Sequence, residues 1–179
     1  MASSGRTQQQ IRDALGVAIE VGEVVTFENA TILWPNLSGN RDNYNSEGDR
    51  NFNLRLTEDE AEELAKVGWN TKCKLARPDD PDQDGTMRCT LKVTVNFGSR
   101  PPKIVMIGSK TKSRTELGAD LAGLVDSAEI KTCDLSFVPY FWDVNGSIGV
   151  TAYLKTMYVV VVEDDLDQKW AEEEVAAQG

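Results

Sequence analysis

The sequence contains no histidine. That absence removes the commonest zinc ligand, the usual general base and any Ser-His or Cys-His nucleophile. Cysteine is scarce, with Cys73, Cys89 and Cys133 far apart and no CxxC pair. A scattered, odd set reads as small buried hydrophobes rather than as a disulfide framework. No apolar run approaches the roughly 20 residues of a membrane span. The opening MASSGRTQQQIRDALG lacks the apolar stretch of a secretory signal, so a cytoplasmic chain is expected. Phosphate-binding GxxxxGKS/T, dinucleotide GxGxxG and metalloprotease HExxH patterns are missing too. The acidic stretch DDPDQDG lacks the distal Glu of a calcium loop and reads as a hairpin loop. The expectation is a non-enzyme without metal or cofactor.

What is present is a charge pattern. The net charge of −10 is wrong for a nucleic-acid binder until it is mapped along the chain. From Glu163 to Glu174 there are seven acids and one lysine. Four acids crowd 79–84 and five crowd 58–63. By contrast, 85–115 carries seven Lys or Arg and no acid, and 64–78 carries four basic residues and no acid. Acid is segregated into a tail, one loop and one short helix.

The length suits one domain with extended ends. Residues 1–22 read as an N-terminal arm or short helix, 23–162 as the folded domain and 163–179 as an acidic tail. The stretch VVTFENATILW (24–34) predicts a strand bulged near Glu28-Asn29, followed by an Asn/Ser/Gly-rich loop. RNFNLRL (50–56) alternates as a strand, and Thr57 with Glu60 caps a short helix ending at Gly68. Strands are expected over 69–77, 88–97 and 103–107, with 116–127 helical or looped. One or two strands over 128–144, bent at Pro139, lead through an Asn145-Gly146 turn to a return strand over 147–162. The pattern is all-β with minor helices. An OB-fold-like β-barrel with one short helix between strands fits it, and a sandwich is the competing architecture.

Strand side chains alternate between two faces. Phe52, Leu54 and Leu56 point inward, as do Cys89, Leu91, Val93, Val95 and Phe97, then Cys73 and Leu75. Ile148, Val150, Ala152, Leu154 and Tyr158 make the inward set of the last strand. The opposite face offers Arg55, Lys72, Lys74, Arg88, Lys92, Tyr153 and Lys155 among Asn and Thr residues, with no acid. Ordinary solvated faces mix both signs. A uniformly basic face with amides and an aromatic suits a phosphate backbone with stacked bases.

Phe27, Phe52, Phe97, Phe141 and Tyr158 fall in apolar runs and belong to the core. The stacking candidates are Trp34, Tyr44, Trp69, Tyr140, Trp142 and Tyr153, with Arg41 in the loop beside Tyr44. In the tail, Glu163, Asp164, Asp165, Asp167, Glu172, Glu173 and Glu174 surround Trp170. Such a segment either keeps the protein soluble or mimics nucleic acid and recruits basic partners. Rival readings are a structural or assembly β-barrel without nucleic acid and a carboxylate-metal nuclease, and the residues do not separate DNA from RNA. The nuclease needs acids gathered in a cleft.

Several blocks together resemble bacteriophage single-stranded DNA-binding proteins of the OB-fold type. They are GDRNFNLRL (48–56), Gly68-Trp69, TLKVTVNFGSRPPKIVMI (90–107) and VPYFWDVNGSIGVTAYLKTMYVVV (138–161), covering most of 24–168 in order. The resemblance implies a protein that coats single-stranded DNA in phage replication and recombination, in the cytoplasm of the infected bacterium. It also implies a regulatory acidic end that contacts replication proteins, and it allows a homodimer. Carried over by position, Arg50, Tyr153 and Lys155 are the leading binding residues. Trp170 is internal, whereas the tails of such proteins often end in an aromatic residue.

Overall fold

In a computed structural model, the described residues are 5–41, 45–75, 87–98 and 100–163. They form nine strands, two α-helices and one short 3₁₀ helix: α1 (Gln8–Leu15), β1 (Val25–Phe27), β2 (Ile32–Asn36), β3 (Asn51–Leu56), α2 (Glu58–Val67), β4 (Thr71–Leu75), β5 (Met87–Thr94), β6 (Lys103–Gly108), β7 (Arg114–Glu116), the 3₁₀ helix (Ala122–Val125), β8 (Ile130–Val144) and β9 (Ser147–Val161). The main sheet runs β1-β8-β9-β5-β3-β2, with β4 added to β5, β6 to β9 and β7 to β6.

The hydrogen-bonded ladder does not close on itself. Its two ends, β1 and β2, are halves of the single strand expected from the sequence, divided at the anticipated bulge where Asn29 adopts φ 51°. Residues 28–31 pass the segment from one partner to the other. Ala30 N–H donates to the Cys133 carbonyl at 2.7 Å, and the Thr31 carbonyl accepts from Arg55 N–H at 2.9 Å. The two ends of the open sheet are thus linked through one bent first strand.

The helix between β3 and β4 forms because Thr57 and Glu60 satisfy each other's orphan backbone donors in a capping box. It ends at Gly68, whose φ of 121° no side-chain-bearing residue adopts comfortably. Inside the barrel lie Phe52, Leu54, Val93, Phe137, Phe141, Leu135, Met157 and Val159, all essentially sealed from water. Helix α1 covers the β8–β9 end. Gln8 Nε2 donates to the Phe141 carbonyl at 2.6 Å while Phe141 N–H donates to Gln8 Oε1 at 2.9 Å, so one carboxamide stands in for a neighbouring strand.

Expectations for β8, β9, β4 and the cysteines are corrected. β8 is one continuous strand, and its register shifts fall at 130/132 and 136/137 instead of at Pro139. Pro139 lies two residues beyond the last β1 pairing, Val25 with Phe137, where its missing N–H leaves no β1 bond unmade. The second shift inserts Lys155 into β9, which reverses the alternation after it. Met157 and Val159 therefore fill the core, and Tyr158 stands on the other face, half-exposed.

The cysteines and β4 also depart from expectation. β4 pairs only with β5 and carries neither Cys73 nor Leu75 inward; Leu75 is 69% exposed. Register places Cys73 opposite Cys89, with Cα atoms 4.0 Å apart, and the two form a disulfide. Cys133 remains a free, buried thiol, as read from the sequence. Burial and the neighbouring Asp134 carboxylate push its pKa up to about 12, so it stays protonated.

Candidate nucleic-acid interface

The outer face of β3, β4 and β5 is organised by register. Lys72 and Arg55 flank Thr90, Lys74 lies beside Arg88, and Lys92 opposes Asn53. One step along, Thr94 pairs with Tyr153, which carries the cationic row onto β9. Lys72, Lys74, Arg55, Lys92 and Lys155 are exposed and Arg88 is half-exposed, as long basic side chains over a pleated surface should be. Arg88 also lies over the Trp34 ring, 5.8 Å from its centroid, and Trp34 is 59% exposed on a left-handed backbone turn at the β2 bulge.

The aromatic part is built by the β8–β9 hairpin. Because Phe141 points inward, Tyr140 and Trp142 point outward, one on each side of it. Tyr140 opposes Thr151, and its ring stacks on Tyr153 with centroids 4.7 Å apart and planes 16° from parallel. Tyr140 keeps 42% of its surface exposed, leaving area for a further planar group. Burial raises the Tyr153 pKa, a hydrogen bond with Asn96 works against that, and Tyr140 adds to it. The phenol is therefore neutral at physiological pH. Trp142 donates its Nε1–H to Thr151 Oγ1 at 3.1 Å and lies flat over Gly149, where any Cβ would overlap the indole.

At the fork where β5 leaves β4 for β9, a groove of about 160 Å³ is lined by Trp69, Asn70, Lys92, Thr94 and Thr151, among others. Trp69 itself is 3% exposed and packs edge-on against Phe137 at 5.1 Å. It is a core residue at the floor of the groove, and its expected stacking role is corrected. Its Nε1–H is buried without a hydrogen-bond partner among the described residues.

Arg50 is held rather than displayed. Its Nη1 donates to the Leu37 and Ala119 carbonyls, both at 2.8 Å, and its guanidinium lies 4.9 Å from the Phe97 ring centroid. It ties the loop after β2 to the region before the 3₁₀ helix. That loop is organised further by buried Asn36, which donates to the Asn40 and Asp49 carbonyls and accepts from Asn40 N–H. Arg41 is exposed on the loop. Tyr44 and the tail positions Asp164, Asp165, Asp167, Trp170, Glu172, Glu173 and Glu174 lie outside the described residues. Arg55 shares a second groove, about 500 Å³, with Glu28, Glu58 and Glu60. The uniform sign of the strand faces is thus interrupted at that margin by acids from other elements. Asn96, one of the amides expected on the outward face, hydrogen-bonds Tyr153, a specific role that its spacing alone does not signal. Among the described residues no group of acids and cysteines could hold a metal, and no helix is long and apolar enough to cross a membrane.

A cationic row running into stacked tyrosines on one sheet face suits a single-stranded nucleic acid. The family profile described as "Putative phage ssDNA-binding domain" matches residues 16–178, and the chain belongs to that family. Single-stranded DNA is accordingly its ligand class, and the family is one of binding proteins rather than enzymes. Solved structures with similarity include the C-terminally truncated single-stranded DNA-binding protein of bacteriophage Enc34 (13% identity, 79% of this chain, 87% of that one, TM-score 0.48). The Enc34 protein in complex with ssDNA gives 12% identity, 79% and 88% coverage and a TM-score of 0.45. For gp2.5, a single-stranded DNA-binding protein of bacteriophage T7, the values are 16%, 84%, 94% and 0.33. No curated protein sequence matches significantly.

Proposed function

We propose that the chain coats single-stranded DNA without reading its sequence, by laying the strand across β4, β5 and β9. Lys72, Lys74, Arg88, Lys92 and Lys155 neutralise phosphates, while Tyr140, Tyr153 and the exposed Trp34 stack bases. The observation that carries this reading is the stacked Tyr140–Tyr153 pair set one strand from Lys92, with Tyr140 open to solvent. Every base has a π-face, so stacking of about 1–3 kcal/mol per base binds strongly without discriminating sequence. Trp142, held flat and hydrogen-bonded, stiffens the hairpin that presents the pair. The acidic end from Glu163 onward competes with DNA for the cationic row and recruits basic replication or recombination proteins. All of this takes place in the cytoplasm of the infected host.

The test is intrinsic tryptophan fluorescence titrated with oligo-dT at low and moderate salt, for the full chain and a 1–162 truncation. Quenching that weakens with salt and strengthens on truncation is the expected result. No quenching and no mobility shift for either protein at low salt would remove the proposal and favour an assembly role.

A further inference from the structure

Where β6 ends, the chain turns sharply through GSKTKS (108–113) before entering β7. The turn is closed internally. Gly108 N–H donates to the Ser113 carbonyl at 3.0 Å, Lys112 N–H to the Gly108 carbonyl at 3.1 Å and Lys112 Nζ to the Ser109 carbonyl at 2.7 Å. Lys112 adopts φ 59°, and two successive amides, those of Lys110 and Thr111, are left facing the same point. Successive backbone N–H groups turned to one side form an anion-binding concavity.

An oxyanion occupies that point. Glu163 Oε1 accepts from Lys110 N–H at 3.0 Å and from Thr111 N–H at 3.1 Å, and Thr111 Oγ1 lies 3.1 Å from both carboxylate oxygens. Glu163 N–H donates to Ser109 Oγ at 3.1 Å, seating the residue from both sides. Gly108 makes the space, since a Cβ there would overlap the carboxylate. Its φ is not in the left-handed region, so the glycine answers to the carboxylate rather than to the backbone. From 100 to 115 the sequence has Arg100, Lys103, Lys110, Lys112 and Arg114 and no acid. A cationic, amide-lined cradle closed by one carboxylate has the chemistry of a phosphate site.

We infer that the 108–113 turn is a second phosphate-binding site for the bound strand, occupied by Glu163 when no phosphodiester is present. The inference rests on the proposed DNA reading and extends it. β9 joins the two sites directly: Tyr153 begins the interval and Val161, whose carbonyl accepts from Ser109 N–H, ends it. Eight residues of strand span about 26 Å, within reach of the roughly 4–16 nucleotides that OB folds engage. A strand long enough to reach the turn exchanges a phosphate oxygen for the Glu163 carboxylate, and the acidic segment is released from its root.

The experiment follows the backbone amide resonances of Lys110 and Thr111 in the full-length chain. In Glu163→Gln, both move on adding inorganic phosphate and on adding a long oligo-dT. In Gly108→Ala/Glu163→Gln they move with neither, and Thr111→Val/Glu163→Gln, which keeps both amides and removes the hydroxyl, weakens both responses. Against long oligo-dT, Gly108→Ala lowers the salt slope of binding by about 0.7, the share of one phosphate on a single strand. If oligo-dT quenches tryptophan in Glu163→Gln while both amides stay still, the second site is overturned and the DNA reading stands. Movement with inorganic phosphate but not with oligo-dT overturns it equally, leaving a site for the free ion only. Absence of quenching overturns the DNA reading itself, and the cradle's place on a bound strand falls with it.

Discussion

Tyr153 and Trp69 show how differently two aromatic side chains are used. Tyr153 is half-buried, stacked on Tyr140 and neutral, so its ring is held in place before any ligand arrives. Loss of a stacking ring typically costs about 1–3 kcal/mol per base. Tyr140→Ala, at a position 42% exposed, is expected to weaken oligo-dT binding by that amount in a fluorescence titration with its melting temperature nearly unchanged. Trp69, by contrast, fills the core against Phe137 with its N–H unpartnered. Trp69→Ala is expected to lose about 3–5 kcal/mol of stability in denaturant unfolding. Trp69→Phe also deletes the orphan donor, whose burial costs about 1–3 kcal/mol, so it loses much less and binds DNA within about twofold of the parent. The sequence put both residues among candidate rings because a packed and a displayed aromatic side chain look alike until neighbours are known.

Among the elements, α1 has the clearest consequence. Its apolar residue Ile11 is buried, but the more specific tie is Gln8, whose carboxamide completes the edge of β8 at Phe141. Beyond Val25 with Phe137, β1 no longer protects that edge. Gln8→Ala is expected to speed hydrogen exchange at Phe141 and to lower stability by about 1 kcal/mol, in line with the loss of paired backbone groups. A glutamine in a polar opening stretch gives no sign of such a partner 133 residues away. The capping box of α2 and the Asn145-Gly146 turn were legible because both are local: the residues that make them are at most three apart. The disulfide was not. Two cysteines 16 residues apart meet only because β4 and β5 pair in one particular register.

At the scale of the whole molecule, the balance of charge decides binding. A protein of net −10 holds a polyanion only if its cations are gathered and its acids kept apart. β-Sheet register does the gathering, drawing Lys72, Lys74, Arg88 and Lys92 from two separate stretches into one row. Each phosphate contact contributes about 0.7 to the salt slope on single strands. Lys72→Gln/Lys74→Gln/Lys92→Gln is therefore expected to reduce the slope of log affinity against log salt by about 2. Arg55→Gln should change it less, because Glu28, Glu58 and Glu60 share its groove.

Alternation with period two settled which face of each regular strand is apolar, since that rule needs only the next residue but one. The capping box of α2 and the segregation of charge that points to DNA were legible for the same reason, being local in the chain. The alternation rule failed after Lys155, where one inserted residue exchanges the faces of β9. Only the tertiary structure decided that Trp69 is core, that β4 stands off the barrel with Cys73 bonded to Cys89, and that Arg50 braces a loop. It alone brought Glu163 to the 108–113 turn. Those outcomes depend on pairings between distant segments, such as the parallel alignment of β6 and β9. Such pairings are selected by how the entire core packs, and no local stretch of chain encodes them.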